Sequence, residues 1–139
     1  MVLKHYKFDD ELICNLRSFV KKLNDECSNG ALVVVEGQKD VMALASLGFR
    51  GDVFTVCQNG RLVELTEVAE KYRKTILLLD FDAKGRALTK KIATLLSEKR
   101  RVVDLFFRRM LLSTTKGRVR KVEELINFRE YFELHPKLE

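Results

Sequence analysis

At 139 residues, with 46% hydrophobic residues and one proline, the chain is long enough for a single core and too apolar for disorder. No apolar run reaches membrane-spanning length, and MVLKHYKFDDEL lacks the apolar centre of a secretion signal. The net charge of +6 is uneven: residues 84–121 hold thirteen Lys or Arg against two acids, net +11, and the remainder carries −5. That asymmetry suits a polyanionic partner such as nucleic acid, with a solvated basic helix face as the plainer alternative.

Asp9 is placed to cap a first helix that Ser28-Asn29-Gly30 stops, with Leu12, Leu16, Phe19, Val20 and Leu23 on one face. Leu32 to Val35 is an unbroken β-branched run, as in a strand buried on both faces of a parallel sheet. Asp40 to Leu47 reads as a short helix with Val41, Leu44 and Ala45 inward, closed by Gly48. Val53 to Cys57 reads as a second strand ended by Asn59-Gly60, and Leu62 to Tyr72 as a helix. Thr75 to Leu79 is a third strand. Lys84 to Lys99 is a helix with Leu88, Ile92, Leu95 and Leu96 on one stripe. Val102 to Phe107 is expected as a fourth strand, Ser113 to Arg120 as a basic loop, and Val122 to Leu134 as a last helix carrying Leu125, Phe128 and Phe132. Strands alternating with helices predict an α/β fold: about four strands, mainly parallel, with right-handed crossovers and helices on both faces.

Cys14, Cys27 and Cys57 are odd in number and lack C-x-x-C spacing, the pattern of reduced thiols in a cytoplasmic protein. Each is expected as a small buried side chain.

Ligands of open α/β sheets bind outside the carboxyl ends of the strands. That rule selects Glu36-Gly37 after the first strand and Asp80-Phe81-Asp82 after the third. Three carboxylates at one sheet edge repel unless a cation or a proton compensates, and hard oxygen donors suit Mg²⁺. Asp80 and Asp82, two apart, face the same side, with Phe81 turned into the packing. The aspartates are the expected metal ligands, with Glu36 beside them. Glu36, among like charges, is expected to hold its proton more tightly and to act as general acid or base. Gly37 allows a sharp exit from the strand, and Asp40 is either a helix cap or a support for the acids. Gly85 leaves room for a phosphate at the next helix N-terminus. Asn59, followed by Gly60, supplies an amide near the site or serves as a plain turn residue. Alone, the D-x-D spacing also suits an ordinary turn; a second strand ending in E-G at the same edge makes the site reading the stronger one.

Two stretches carry a family resemblance. VVVEGQKDVMALASLG (33–48) resembles the first motif of the Toprim domain, shared by topoisomerases, bacterial primases, and nucleases of the OLD and RNase M5 types. LLLDFDAKG (77–85) resembles its second, D-x-D-x-x-G motif. The tail, with Arg108, Arg109 and KVEEL (121–125), is similar to that of small stand-alone archaeal Toprim proteins related to RNase M5.

The resemblance implies a Rossmann-like Toprim fold in one domain over 1–139. Its core spans about 31–108, with helix 9–28 and the basic loop and helix of 109–139 packed on it. It further implies Mg²⁺, or Mn²⁺, at Asp80 and Asp82, Glu36 as the acid/base group, and the breaking or making of phosphodiester bonds. Lys39, Lys84 and Arg86 would hold phosphates near the metal, and Arg108, Arg109, Lys116, Arg118 and Arg120 would extend the contact along an RNA or DNA backbone. Tyr6, Tyr72 and Tyr131 match no topoisomerase nucleophile, and the modules that surround a primase Toprim domain do not occur in these residues. A nuclease-like or RNA-processing role fits best. The alternative is a non-catalytic binding module with protein partners in a nucleoprotein assembly. LLLDFD also resembles the opening of haloacid-dehalogenase phosphatases, but Lys84 stands where they carry Thr or Val, and no later acid pair ends a strand.

Overall fold

The computed structural model describes residues 10–57 and 61–134. Asp9, Tyr6 and the Asn59-Gly60 pair lie outside the described residues. The elements run α1 (Asp10–Ser28), β1 (Ala31–Val35), α2 (Gln38–Ser46), β2 (Val53–Thr55), α3 (Arg61–Ala69), β3 (Lys74–Leu77) and α4 (Ala83–Glu98). They continue with β4 (Val103–Asp104), α5 (Phe106–Thr114), a 3₁₀ helix (Val122–Phe128) and α6 (Arg129–Leu134). The sheet is four-stranded and wholly parallel, in the order β2-β1-β3-β4.

Side chains alternate across a strand, and here the alternation sorts the apolar runs into two cores. Ala31, Val33, Val35, Ile76 and Leu78 enter one core, with Leu16, Phe19 and Leu23 of α1, Leu44 of α2, Phe107 and Leu111 of α5, and Leu125 of the 3₁₀ helix. Leu32, Val34, Leu77 and Leu79 enter the other, with Leu65 of α3 and Ile92 and Leu96 of α4. All five β1 residues are buried, which accounts for a strand with no polar alternation. The backbone ladder runs past β3: Leu78 N–H donates to the Val34 carbonyl at 2.9 Å.

Several expected boundaries move. The largest change is at the fourth strand, which is two residues long and gives way to α5 at Phe106. Asp104 causes the turn by accepting the Phe106 N–H at 2.7 Å, which takes the backbone out of the ladder. The apolar residues beyond it have helical spacing: Phe107 and Leu111 are four apart and both buried. Asp104 is also held by Lys74 at 2.7 Å, and Lys74 meets Glu26 at 3.0 Å, so one ammonium ties α1, β3 and β4 together. The last helix opens as a 3₁₀ turn over Val122–Phe128 before becoming α-helical. On α2, Ala43 rather than Ala45 is buried, and Asp40 joins the inward face. Gly48 closes α2 at φ +95°, with Phe49 N–H donating back to the Leu44 carbonyl at 3.1 Å, a Schellman-type ending that favours glycine.

The three thiols are free, but Cys14 and Cys57 are exposed and Cys27 is half-buried, so they are not the core residues expected. Tyr72 donates to Asp52 at 2.8 Å, and Tyr131 is buried. No helix among the described residues is long and apolar enough to cross a membrane.

Phe19 is fully buried and meets the Phe107 ring edge-on, with centroids 5.9 Å apart. Phe19→Ala is expected to cost about 3–5 kcal/mol, read as a lower denaturant midpoint at unchanged slope.

Candidate metal and phosphate site

The strand order reverses between β1 and β3. From β1 the chain steps outward to β2, then returns to the other side for β3 and β4. The crevice beyond the carboxyl ends of β1 and β3 is therefore the place an α/β sheet offers a ligand. Val34 is in register with Leu77, so Glu36 and Asp80 follow adjacent strand ends. Glu36 Oε2 accepts the Asp80 N–H at 3.1 Å and ties the two exits together directly.

Each acid at this edge is positioned by a backbone amide. Asp80 Oδ1 accepts from Val122 N–H at 2.9 Å, a buried bond between residues 42 apart in sequence. Asp82 is the N-cap of α4, its Oδ1 accepting from Gly85 N–H at 2.8 Å. Asp40 reaches back along α2 to accept the Gly37 N–H at 3.0 Å, the acidic half of a capping box. Phe81 is buried, and its N–H donates to the Arg120 carbonyl at 2.8 Å.

Asp80 is 8% exposed. Burial pushes its pKa up to about 6; the Val122 amide opposes the rise, and the charges of Glu36, Asp40 and Asp82 add to it. Asp40 is raised as well, by burial first and then by Glu36 among the nearby acids. Two carboxyls at this edge, Asp80 and Asp40, thus carry a raised proton affinity. At neutral pH a buried Asp80 carboxylate among three other acids is a charge in want of a cation. The donors are carboxylate oxygens, hard ligands of the kind Mg²⁺ takes while keeping several waters. Among the described residues no three His, Cys, Asp or Glu side chains form a ready ligand cluster. Cys57 lies beside Glu36, its Sγ 3.9 Å from Oε1, and burial raises its thiol pKa.

The glycines serve differently from expectation. A Cβ on Gly85 would clash with the Asp80 carbonyl oxygen and lie 2.6 Å from its carbon. The space expected for a phosphate is filled by the strand end itself, and glycine is what lets α4 sit so close. Gly37 has extended backbone (φ −151°, ψ −175°) that any residue adopts, so no sharp exit depends on it, and a Cβ there would meet nothing within 4 Å.

The basic residues fall into groups. Arg108 Nε donates to the Leu79 carbonyl at 3.0 Å and its Nη2 to the Asp80 carbonyl at 2.6 Å, while its guanidinium lies 5.1 Å from the Phe81 ring centroid. Arg86 Nη1 donates to the Phe81 carbonyl at 3.0 Å. These two arginines clamp the D-x-D turn before they contact any substrate, a role the sequence did not suggest. Arg120 lines the same hollow as Arg86 and Arg108. Lys116 and Arg118 instead line a separate hollow against α1, so the expected single basic track is divided. Lys39, Lys84 and Arg109 are exposed. Lys39 and Lys84 stand in the first turns of α2 and α4, whose N-termini open directly beyond the strand ends. The Val122 and Arg120 backbone partners left no local signal in the sequence.

The Toprim domain family model matches residues 31–120. A UPF0292 protein of Thermococcus gammatolerans is 37% identical, covering 90% of this chain and 86% of its own length. Another, from Archaeoglobus fulgidus, is 32% identical over 80% of this chain and 86% of its own. A solved structure of a protein from Aquifex aeolicus superposes with a TM-score of 0.66 at 30% identity, over 77% of this chain and 94% of that one.

Gly85→Ala is expected to lose about 2 kcal/mol or more of stability through the clash with Asp80, whereas Gly37→Ala stays within about 0.5 kcal/mol; paired thermal melts separate them. Asp80 is raised in the folded state above its unfolded value of 3.8, so the folded chain binds the extra proton. In metal-free protein this group therefore destabilises at pH 7, and stability recovers as pH falls through about 6 toward 4. Asp80→Asn, whose amide oxygen still accepts from Val122, is expected to gain about 1–2 kcal/mol at pH 7 and nothing near pH 4, as read from chemical denaturation at both pH values.

Proposed function

Because this chain belongs to the Toprim domain family, a family of metal-dependent, nucleic-acid-related domains, we propose that it carries out Mg²⁺-dependent phosphodiester chemistry of a nuclease-like or RNA-processing kind. The observation that carries the reading is the pairing of Glu36 with Asp80 across the switch point, in a crevice flanked by two helix N-termini.

Asp80 and Asp82 would hold the ion, with Glu36 beside them. When bound, a divalent ion polarises a phosphate and steadies charge on the attacking and leaving oxygens. The rest falls to the chain. Glu36 is oriented by the Asp80 N–H that its Oε2 accepts, and its Oε1, beside the Cys57 thiol, would accept and return a proton. Lys39 and Lys84 flank the acids and draw the phosphate backbone in, aided by the N-termini of α2 and α4. Asp40 steadies the Gly37 exit and adds negative charge that helps keep Asp80 ready to exchange its proton for a cation.

A second reading, a binding module without turnover, has its own support: Asp82, Arg86 and Arg108 are all engaged in building the turn. The two readings separate on one experiment. Wild type, Glu36→Gln and Asp80→Asn are incubated with labelled RNA and DNA, with Mg²⁺ or with chelator. Catalysis is expected to drop at least about 10²-fold in both variants, while binding persists and weakens with salt in each. Cleavage that survives in both variants overturns the assignment of these residues; binding without cleavage in wild type favours the module.

A further inference from the structure

On the far side of the Asp80–Phe81–Asp82 turn lies a hollow of about 270 Å³ lined by Phe81, Arg86, Arg108, Leu112, Gly117 and Arg120. Three arginines therefore line one small space whose surface is mostly apolar. None of the three forms an ion pair with a carboxylate among the described residues. Three other arginines do find such a partner: Arg61 with Glu64, Arg73 with Glu26, Arg101 with Glu70. Like charges brought together cost free energy, and two of these are fixed in place by the carbonyls they clamp, so their repulsion is not relieved by swinging away. Arg108 registers both signs: burial first and then the neighbouring Arg86 charge lower its pKa, while the charges of Asp80, Glu36 and Asp82 oppose the fall.

Donors remain after the clamping. Arg108 uses Nε and one Nη2 hydrogen on the turn, and Arg86 uses Nη1. A guanidinium offers five N–H groups, and no described hydrogen bond engages the Arg120 side chain. Planar forks of this kind match phosphate oxygens.

We propose that this hollow is an anion pocket that seats the terminal phosphate monoester of a nucleic-acid strand beside the carboxylate edge. The charge count selects a monoester. A terminal phosphate carries about −1.5 to −2 at pH 7 and three free oxygens, which three forks can share. An internal diester carries one charge and offers fewer oxygens. The walls agree: exposed Leu112 and the Phe81 ring give an apolar side suited to the sugar and base of the end nucleotide. At about nine water volumes the hollow holds more than a bare phosphate and much less than a duplex. Because Arg86 and Arg108 grip the carbonyls of Leu79, Asp80 and Phe81, filling the pocket also stiffens the turn that carries the acids.

The proposal rests on the reading of this edge as a phosphodiester site for the kind of partner, and its test does not require turnover. Single-stranded oligonucleotides of one sequence, bearing 5′-phosphate, 3′-phosphate or hydroxyl ends, are titrated by fluorescence anisotropy in chelator. One phosphorylated end is expected to bind about tenfold tighter than the hydroxyl form, with inorganic phosphate erasing the difference. Arg120→Gln, whose side chain bonds to no part of the turn, is expected to remove the preference, while Arg109→Gln weakens all three oligonucleotides alike and preserves it. Equal affinity for all ends in wild type, or a preference that survives Arg120→Gln, overturns the pocket. Wild type that cleaves nothing yet keeps the preference removes the catalytic reading and leaves this one standing.

Discussion

Four carboxylates, Glu36, Asp40, Asp80 and Asp82, are gathered beyond the ends of two parallel strands, and the burial of Asp40 and Asp80 among them, sharpened by the neighbouring charges, is the constraint around which this edge of the chain is arranged. Nothing local would keep them there. Each is tied by one oxygen to a backbone N–H, and the amides come from different places: the next strand, a neighbouring helix start, and a segment more than forty residues downstream. Such bonds favour the charged form, and burial and the neighbouring charges oppose it. For Asp80 the opposition wins, which leaves a carboxyl able to take a proton or a cation near neutral pH. A group poised in that way serves chemistry better than stability.

The arginines answer the same constraint from the other side. Arg108 and Arg86 grip three consecutive carbonyls of the turn, which directs the negative ends of those peptides toward positive charge. Gly85 lets α4 come against the Asp80 carbonyl so that Asp82 can cap the helix from within the same turn. The turn is thus closed by α4, α5 and the approach to the 3₁₀ helix at once. A basic segment that looks in composition like a polyanion-binding surface is in part internal scaffolding, and only what remains exposed is left for a partner.

The two acidic motifs were legible because they sit on strong local signals. LVVV and ILLL have no polar alternation, so each reads as a strand buried on both faces, and the acids that follow are placed by topology alone. The helix at Phe106 was not legible for the opposite reason. VVDLFF fits a strand as well as a helix, and the tie between Asp104 and the Phe106 amide is what ends the strand. Asp82 shows the limit of type-based reading, since a metal ligand and an N-cap call for the same side chain at the same place. Arg108 shows it again: charge identifies a cation, but only the fold shows that it spends itself on Leu79 and Asp80.

The amino-acid sequence by itself determined the alternation of strands and helices, the edge at which Glu36, Asp80 and Asp82 emerge, and the family to which those motifs belong. These follow from periodicity and chain order, which are local properties. Tertiary structure alone decided that Asp80 and Asp40 carry raised pKa values, which arginines line one hollow, and that residues 120–122 close the turn through the Phe81 and Asp80 bonds. These depend on burial and on contacts between residues far apart in the chain. Desolvation and Coulomb energies are set by the distances that packing creates, and neither spacing nor composition contains those distances.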